Sequence, residues 1–325
     1  MANVAEFTKT TSDELKDFTK SSEAECVTEI RIIGGLQAPT LTVFDHFDPE
    51  LCSSDLTAPT VRAISERCKK LEKMHLQHTT IKASLPPQLQ RLFLRDSWTP
   101  SNYSWPSQLR VLSLAYHTYL ELRPSAGILS LRQLQDLRLV YPWKTPYSQL
   151  ERIPQALGRQ LRRLDLIEHN LQNPDRQGPN QAAAPPERHA SDMLQQISKH
   201  CKQLQTLTWG EVHPKEFRGL EFVLKLRVKR LRIVVVPPEY SEEPEPIESI
   251  EWLDQLGSMT SLESLTLIPR PAAISSQIAH AFQEAHPPIQ VEVKSDWKHK
   301  VRRPPWKTPE QEAESRQFHG RIPLS

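Results

Sequence analysis

The chain of 325 residues carries 41 Lys and Arg against 39 Asp and Glu, a formal net charge of +2, and is 38% apolar and 25% charged. That balance belongs to a soluble folded protein and gives no whole-chain electrostatic argument for nucleic acid. With 28 prolines and only 9 glycines, the chain argues for many stiff connections and against glycine-dependent phosphate loops.

The first residues, Met1 to Glu6, have neither a basic start nor an apolar run, and no later stretch approaches the roughly 18 apolar residues of a membrane span. A cytoplasmic or nuclear protein without membrane contact is expected. Residues 1–25 read as a polar segment, in which Thr10 to Lys20 offers at most one polar helix.

From there an apolar-x-x-apolar-x-apolar spacing organises the chain. It occurs at Val27/Ile30/Ile32, Leu71/Met74/Leu76, Leu89/Leu92/Leu94, Leu109/Leu112/Leu114, Leu134/Leu137/Leu139 and Leu161/Leu164/Leu166. It continues at Leu204/Leu207/Trp209, Val228/Leu231/Ile233, Leu262/Leu265/Leu267 and, in degenerate form, Ile289/Val291/Val293. The last two apolar residues, two apart, share one side of a short strand, and the first packs from the preceding turn. One such strand cannot bury its face alone, so successive copies must stack as a parallel sheet. Leu92, Leu112, Leu137 and Leu164 should form one buried row.

Helical spacing appears between the strands at Val61 to Lys70, Ser191 to Lys202, Pro214 to Leu226, Ile247 to Leu256 and Ala273 to Glu284. Two of these segments run into their strands through Ile-Ser-x-x-Cys-Lys-x-Leu, at Ile64 to Leu71 and Ile197 to Leu204. Helix, cysteine and Leu-x-x-Leu-x-Leu in this order resemble the cysteine-containing leucine-rich repeats that follow F-boxes in ubiquitin-ligase receptors, including the ragged arrays of fungi.

The resemblance covers roughly Cys26 to Val293. It implies an α/β leucine-rich-repeat solenoid over 26–297, with parallel strands on the concave face and irregular helices on the convex face. It also implies a protein substrate held by the repeats and, through an F-box, a Skp-type adaptor. No proline-started three-helix F-box is readable before the first strand.

Repeat spacing varies from about 18 to above 40 residues where regular arrays keep to roughly 20–29, so insertions are expected. They are placed at 172–189, rich in Ala, Pro and Asn, and at 237–246, Pro-Pro-Glu-Tyr-Ser-Glu-Glu-Pro-Glu-Pro; both read as mobile. Residues 298–325, opening on Lys-His-Lys-Val-Arg-Arg, read as a disordered basic, proline-broken tail.

The candidate functional surface follows from alternation along the strands. Lys73, Arg91, Val111, Asp136, Arg163, Thr206, Arg230 and Ser264 precede the second apolar residue of their copies, and His75, Phe93, Ser113, Arg138, Asp165, Thr208, Arg232 and Thr266 follow it. Parallel stacking lines them into outward columns. Beyond the strands, Tyr116 and Tyr141 fall at the same repeat position, with Trp98, Tyr103, Trp105, Tyr119 and Trp143 in the adjoining loops, an aromatic rim beside arginines. Arginine and aromatic residues dominate interface hot spots, so the partner-binding set is Lys73, His75, Arg91, Phe93, Arg95, Trp98, Tyr116, Arg138, Tyr141, Trp143, Arg163 and Asp165. With Arg91, Arg138 and Arg163 facing solvent, their charge reversal should weaken partner capture without lowering stability.

Other chemistry finds little support. Cys26, Cys52, Cys68 and Cys201 lack zinc-ribbon or redox spacing and read as reduced, mostly buried thiols. His75 and His78 near Cys68 straddle a strand and a turn and make a poor metal set. Lys225 to Arg232 alternates with apolar residues as a half-wet strand does, and the Lys294 to Arg303 cluster is a weak nucleic-acid or nuclear-import signal. No hydrolase elbow, phosphate loop or His-Glu-x-x-His occurs. No cofactor and no catalytic activity are expected; a small-GTPase activator using Arg31 or Arg62 as an arginine finger is the alternative within the same fold.

Overall fold

The computed structural model describes residues 3–8, 12–33, 54–95, 97, 99, 103–115, 127–140, 150–167, 186–236, 246–269 and 274–294. Eleven strands form one all-parallel sheet: β1 (Val4–Thr8), β2 (Glu29–Ile33), β4 (Lys73–Gln77), β6 (Arg91–Arg95), β7 (Val111–Ala115), β8 (Asp136–Val140), β9 (Arg163–Ile167), β10 (Thr206–Val212), β11 (Arg230–Val235), β12 (Ser264–Pro269) and β13 (Gln290–Val293). Each pairs with the next in this order, so the spatial sequence of strands follows the chain. The remaining two strands, β3 (Ser54–Leu56) and β5 (Thr79–Ile81), make a separate parallel pair.

The register carries the repeat. One row runs Ile30, Met74, Leu92, Leu112, Leu137, Leu164, Leu207, Leu231 and Leu265, and a second runs Ile32, Leu76, Leu94, Leu114, Leu139, Leu166, Trp209, Ile233 and Leu267. Every member of both rows is buried, and a fully buried aliphatic side chain contributes about 1.5–3 kcal/mol relative to exposure. Leu92, Leu112, Leu137 and Leu164 thus do form one buried row.

A backbone ladder fixes each strand to the next just before the sheet begins. The Glu72 carbonyl accepts the N–H groups of Gln90 and Arg91, Gln90 accepts those of Arg110 and Val111, and Arg110 accepts those of Gln135 and Asp136. The pattern repeats through Gln135, Arg162, Gln205 and Lys229, and Glu263 accepts the Gln290 N–H alone, the Val291 N–H going to the Gln283 side chain. The turns entering the strands therefore leave few unmet backbone donors, as a buried connection requires.

The helices pack on the face that carries the two leucine rows. They are α1 (Ser12–Thr19), α2 (Ala58–Arg67), α3 (Arg152–Leu157), α4 (Pro186–His200), α5 (Leu220–Val223) and α6 (Ser276–Ala285). Val61 and Ile64 of α2, Ile153 and Leu157 of α3, Met193, Leu194 and Ile197 of α4, and Phe282 of α6 all join the same core. Thr57 and Pro59 open α2, proline being tolerated in a first turn because its missing N–H would have no intrahelical partner. The twin cysteines end their helices alike: the Cys68 N–H donates to the Ile64 carbonyl and the Cys201 N–H to Ile197, both at 2.8 Å. Burial pushes the Cys68 thiol up to about 11 and the Cys201 thiol to about 12, so both act as small apolar groups. Cys26, by contrast, is exposed, and Cys52 lies outside the described residues.

Several expectations from the sequence need correction. Residues 1–25 are more than a polar lead: Val4–Thr8 forms the edge strand beside β2, and Leu15 of α1 is buried. Pro214 to Leu226 is helical only over Leu220–Val223, entered from Gly219 at φ 80°, and Ile247 to Leu256 yields a bridge at Ile247 and a tight 3-10 helix at Leu253–Ser258. Apolar residues at helical spacing there serve short irregular turns instead of a regular helix. The β3/β5 pair was not anticipated. His78, at φ 51°, turns the chain from β4 into β5; its N–H donates to the Arg95 carbonyl, and the Thr79 N–H donates to Ser97 Oγ. Of the two insertions, 172–185 and 237–245 lie outside the described residues, as does the tail 298–325, while 186–189 begin α4.

Candidate functional site

The face opposite the helices carries the alternate residue of each strand, and the register places these in columns as the sequence suggests. The first column runs Glu29, Lys73, Arg91, Val111, Asp136, Arg163, Thr206, Arg230, Ser264, and the second Arg31, His75, Phe93, Ser113, Arg138, Asp165, Thr208, Arg232, Thr266. Two carboxylates organise this surface.

The central one is Asp165, whose side chain is 2% exposed. Arg163, two residues earlier on β9, donates from Nε and from a terminal nitrogen 2.8 Å from Oδ2. Thr208 of β10 donates its hydroxyl to Oδ1 at 2.7 Å. Arg138 of β8 brings Nε within 2.7 Å of Oδ2 as an ion pair, although this N–H is not aligned for a hydrogen bond. A buried carboxylate is tolerated only with this kind of compensation.

Around it the charges do not cancel. Arg91, Arg230 and Arg232 stand on the same columns, and among the described residues none of the three forms an ion pair. Among the described residues, five guanidinium groups, those of Arg91, Arg138, Arg163, Arg230 and Arg232, share the central columns with the carboxylates of Asp136 and Asp165. Burial pulls Arg232 below the ordinary arginine value, and neighbouring Arg163 adds to that pull. Burial pushes Asp136 up, which Arg163 opposes.

The second carboxylate, Glu29 on β2, serves the other end of the columns. Arg31 Nε donates to it at 2.7 Å, Lys73 Nζ lies at 3.1 Å, and His75 Nε2 sits 3.2 Å away. Burial raises the Glu29 pKa, but the bonds from Arg31 and Lys73 more than offset this, and the group ends below its ordinary value. The His75 ring stacks on Phe93 at 4.3 Å between centroids and 5° between planes, with Lys73 Nζ 5.5 Å from the Phe93 centroid. Burial, with help from Lys73, lowers the His75 pKa.

The predicted set therefore divides. Lys73, His75 and Phe93 cluster at Glu29; Arg138, Arg163 and Asp165 cluster in the centre; Arg91 is exposed between them. Arg95 ends β6 at the third outward position, on the same face. Trp98, Tyr116, Tyr141 and Trp143 lie outside the described residues.

Three expectations are corrected. Asp165 does not face solvent, since three cationic or hydroxyl donors close over it. Arg138 and Arg163 are held by it, so their charge reversal would cost stability. Tyr103 and Trp105 belong to the core and not to a rim: they meet edge to face at 5.0 Å, and Tyr103 Oη accepts the Leu85 N–H.

Glu29, Arg31, Thr208, Arg230 and Arg232 are the participants that the sequence-based set omits. The signal was present, because each flanks the central apolar residue of its copy as the chosen residues do. A third row, Ala115, Val140, Ile167, Val234 and Ile268, is apolar and packs as a second buried cluster beside the charged columns; it had no counterpart in the repeat spacing.

Chemically this surface offers fixed cations, and the hydroxyl that meets a carboxylate on it, Thr208 on Asp165, is buried. Among the described residues no group of three or more His, Cys, Asp or Glu side chains could hold a metal ion, and no helix is long and apolar enough to cross a membrane. On the helix side, a cleft of about 430 Å³ is lined by Phe217, Leu220, Leu224 and Trp252 and edged by Lys215, Glu216 and Glu251. The indole N–H of Trp252 is already donated to the His213 carbonyl. No protein-family model matches the sequence, and comparison with curated proteins returns no match.

Proposed function

We propose that the chain is an irregular leucine-rich-repeat solenoid acting as a protein-recognition module, with the face opposite the helices as its concave docking surface. The observation that supports this reading is the in-register set of five arginines around the buried carboxylate of Asp165. Arg138 and Arg163, held by Asp165, lose less freedom on binding than mobile side chains, and arginine is enriched among residues that dominate interface energy. The helix-cysteine-leucine arrangement, repeated at Cys68 and Cys201, supports an F-box-like substrate receptor or a scaffold derived from one, working in the cytoplasm or nucleus without cofactor or catalysis. Of the two arginines of the GTPase-activator alternative, Arg31 is engaged by Glu29 and by Glu6 at 3.5 Å, leaving it poorly suited to act as a free finger, whereas Arg62 is exposed on α2.

The test places a photo-crosslinking residue at Ser113, on the second column, and separately at Arg62 on the exposed side of α2. Discrete protein adducts at Ser113 that are absent at Arg62 and lost on Arg91→Glu are expected. Equal labelling at the two positions, or none at Ser113, would refute a docking role for this face. Co-purification with a Skp-type adaptor tests the receptor branch separately.

A further inference from the structure

We propose that the ligand of the central columns is an extended acidic peptide segment, lying across the strands with its carboxylates on Arg138 and Arg163 at one end and on Arg230 and Arg232 at the other. This rests on the recognition-module reading and adds the chemistry of the partner. The arginines of β11 have no acid in their own rows on either neighbouring strand: β10 presents Thr206 and Thr208, and β12 presents Ser264 and Thr266. Among the described residues neither arginine forms an ion pair, and Asp165, which acts on Arg232 only through space, is already occupied by Arg138, Arg163 and Thr208. The short threonines of β10 stand between the two arginine pairs and are buried, so in these columns that strand sets neither a charge nor a long side chain of its own against an acidic ligand.

Geometry sets the spacing of the ligand. Arg138 on β8 and Arg232 on β11 are three strand steps apart, and at about 4.8 Å per step their backbones are separated by roughly 14 Å. An extended peptide rises about 3.4 Å per residue, so acidic residues four apart span nearly the same distance. Guanidinium forks take carboxylates in bidentate fashion. A nucleic-acid backbone fits less well. Asp136, Asp165 and Glu29 interrupt the columns and would repel a continuous phosphate chain, and the described aromatic ring of the columns, Phe93, is already stacked on His75.

The experiment uses the full chain and fluorescein-labelled Ser/Gly peptides carrying Glu residues as two pairs four apart, the same Glu residues in one contiguous block, or Gln in place of Glu, together with a single-stranded thymidine oligomer. Fluorescence anisotropy at near-physiological salt is the readout. The spaced Glu peptide is expected to bind saturably, and at least about tenfold more tightly than the Gln peptide and measurably more tightly than the block. Arg230→Gln with Arg232→Gln should weaken it by about tenfold or more, whereas Lys69→Gln with Lys70→Gln, an equal loss of charge in the turn after α2, should change it less than about twofold. Equal losses in the two variants, no preference for Glu over Gln, or tighter binding of the oligomer would each overturn the proposal. If the Ser113 adducts still form while the Glu peptides fail, the docking face stands and only its acidic ligand is wrong; if both fail, the recognition reading falls as well.

Discussion

A single carboxylate decides how much of the arginine chemistry is structural. Asp165 accepts hydrogen bonds from Arg163 and Thr208 and pairs with Arg138, one negative charge against two positive, so Asp165→Ala leaves two guanidinium groups facing each other in a partly buried site. The expected loss is about 3–5 kcal/mol, read as a lower urea midpoint; a change under about 1 kcal/mol would mean that water replaces the carboxylate without cost. Asp136 behaves in the opposite sense. Burial is the main cause of its raised pKa, with Arg163 pulling the other way, so its charged form is less welcome in the folded protein than in the unfolded chain. Stability from this group is full below its ordinary value of 3.8 and declines as pH rises through the folded value. Asp136→Asn should therefore raise the Tm at pH 7 and leave it unchanged or lower near pH 3. A lower Tm at neutral pH would show that the attraction of Arg91 and Arg163 outweighs burial.

At the level of the strand, the leucine rows and the charged columns make separable contributions. Leu137→Ala removes a fully buried side chain between Leu112 and Leu164 and should cost about 2–5 kcal/mol, while Ser113→Ala on the other face should stay within about 0.5 kcal/mol. Thermal or urea unfolding of both variants checks the contrast, and similar values for the two would contradict the placement of the rows. The same contrast explains what could be read before the structure. Apolar pairs two residues apart betray which side is dry, so Leu92/Leu94 and Leu164/Leu166 locate their strands and even their register. Nothing in the spacing tells whether an outward residue is wet. Asp165 alternates correctly and yet is buried, because only the neighbouring strands supply Thr208 and Arg138. The β3/β5 pair was hidden for a different reason. Ser54–Leu56 and Thr79–Ile81 are too short to show a period, and their pairing hangs on a left-handed turn at His78 that a non-glycine residue rarely adopts.

Across the whole molecule, acid should act through the histidines first. His75, His78 and His213 all have pKa values lowered chiefly by burial, so the folded protein holds fewer protons than the unfolded chain as pH drops through 6.5, the ordinary histidine value. Stability is complete above that point and declines below it. Below about pH 4.5, the ordinary value for Glu29, the stability contributed by its ion pairs also begins to be lost, because the unfolded chain takes up that proton first; the pairs themselves break only at the lower folded value. The urea midpoint is expected to fall between pH 7.5 and 5.5, and His78→Gln should flatten the decline; a midpoint constant over that range would rule out the histidine contribution. A last consequence belongs to the carbonyl ladder that joins Glu72, Gln90, Arg110, Gln135, Arg162, Gln205, Lys229 and Glu263. It works as a ruler whose graduations are peptide groups, indifferent to how much chain is spent between one mark and the next. Arg162 and Gln205 sit on adjacent graduations although more than 40 positions separate them in sequence. Lengthening or shortening the segment between Ile167 and Pro186 should therefore leave the distance from Arg163 to Thr206 untouched. Connections can diverge freely while the pitch at which side chains are offered to a ligand stays constant.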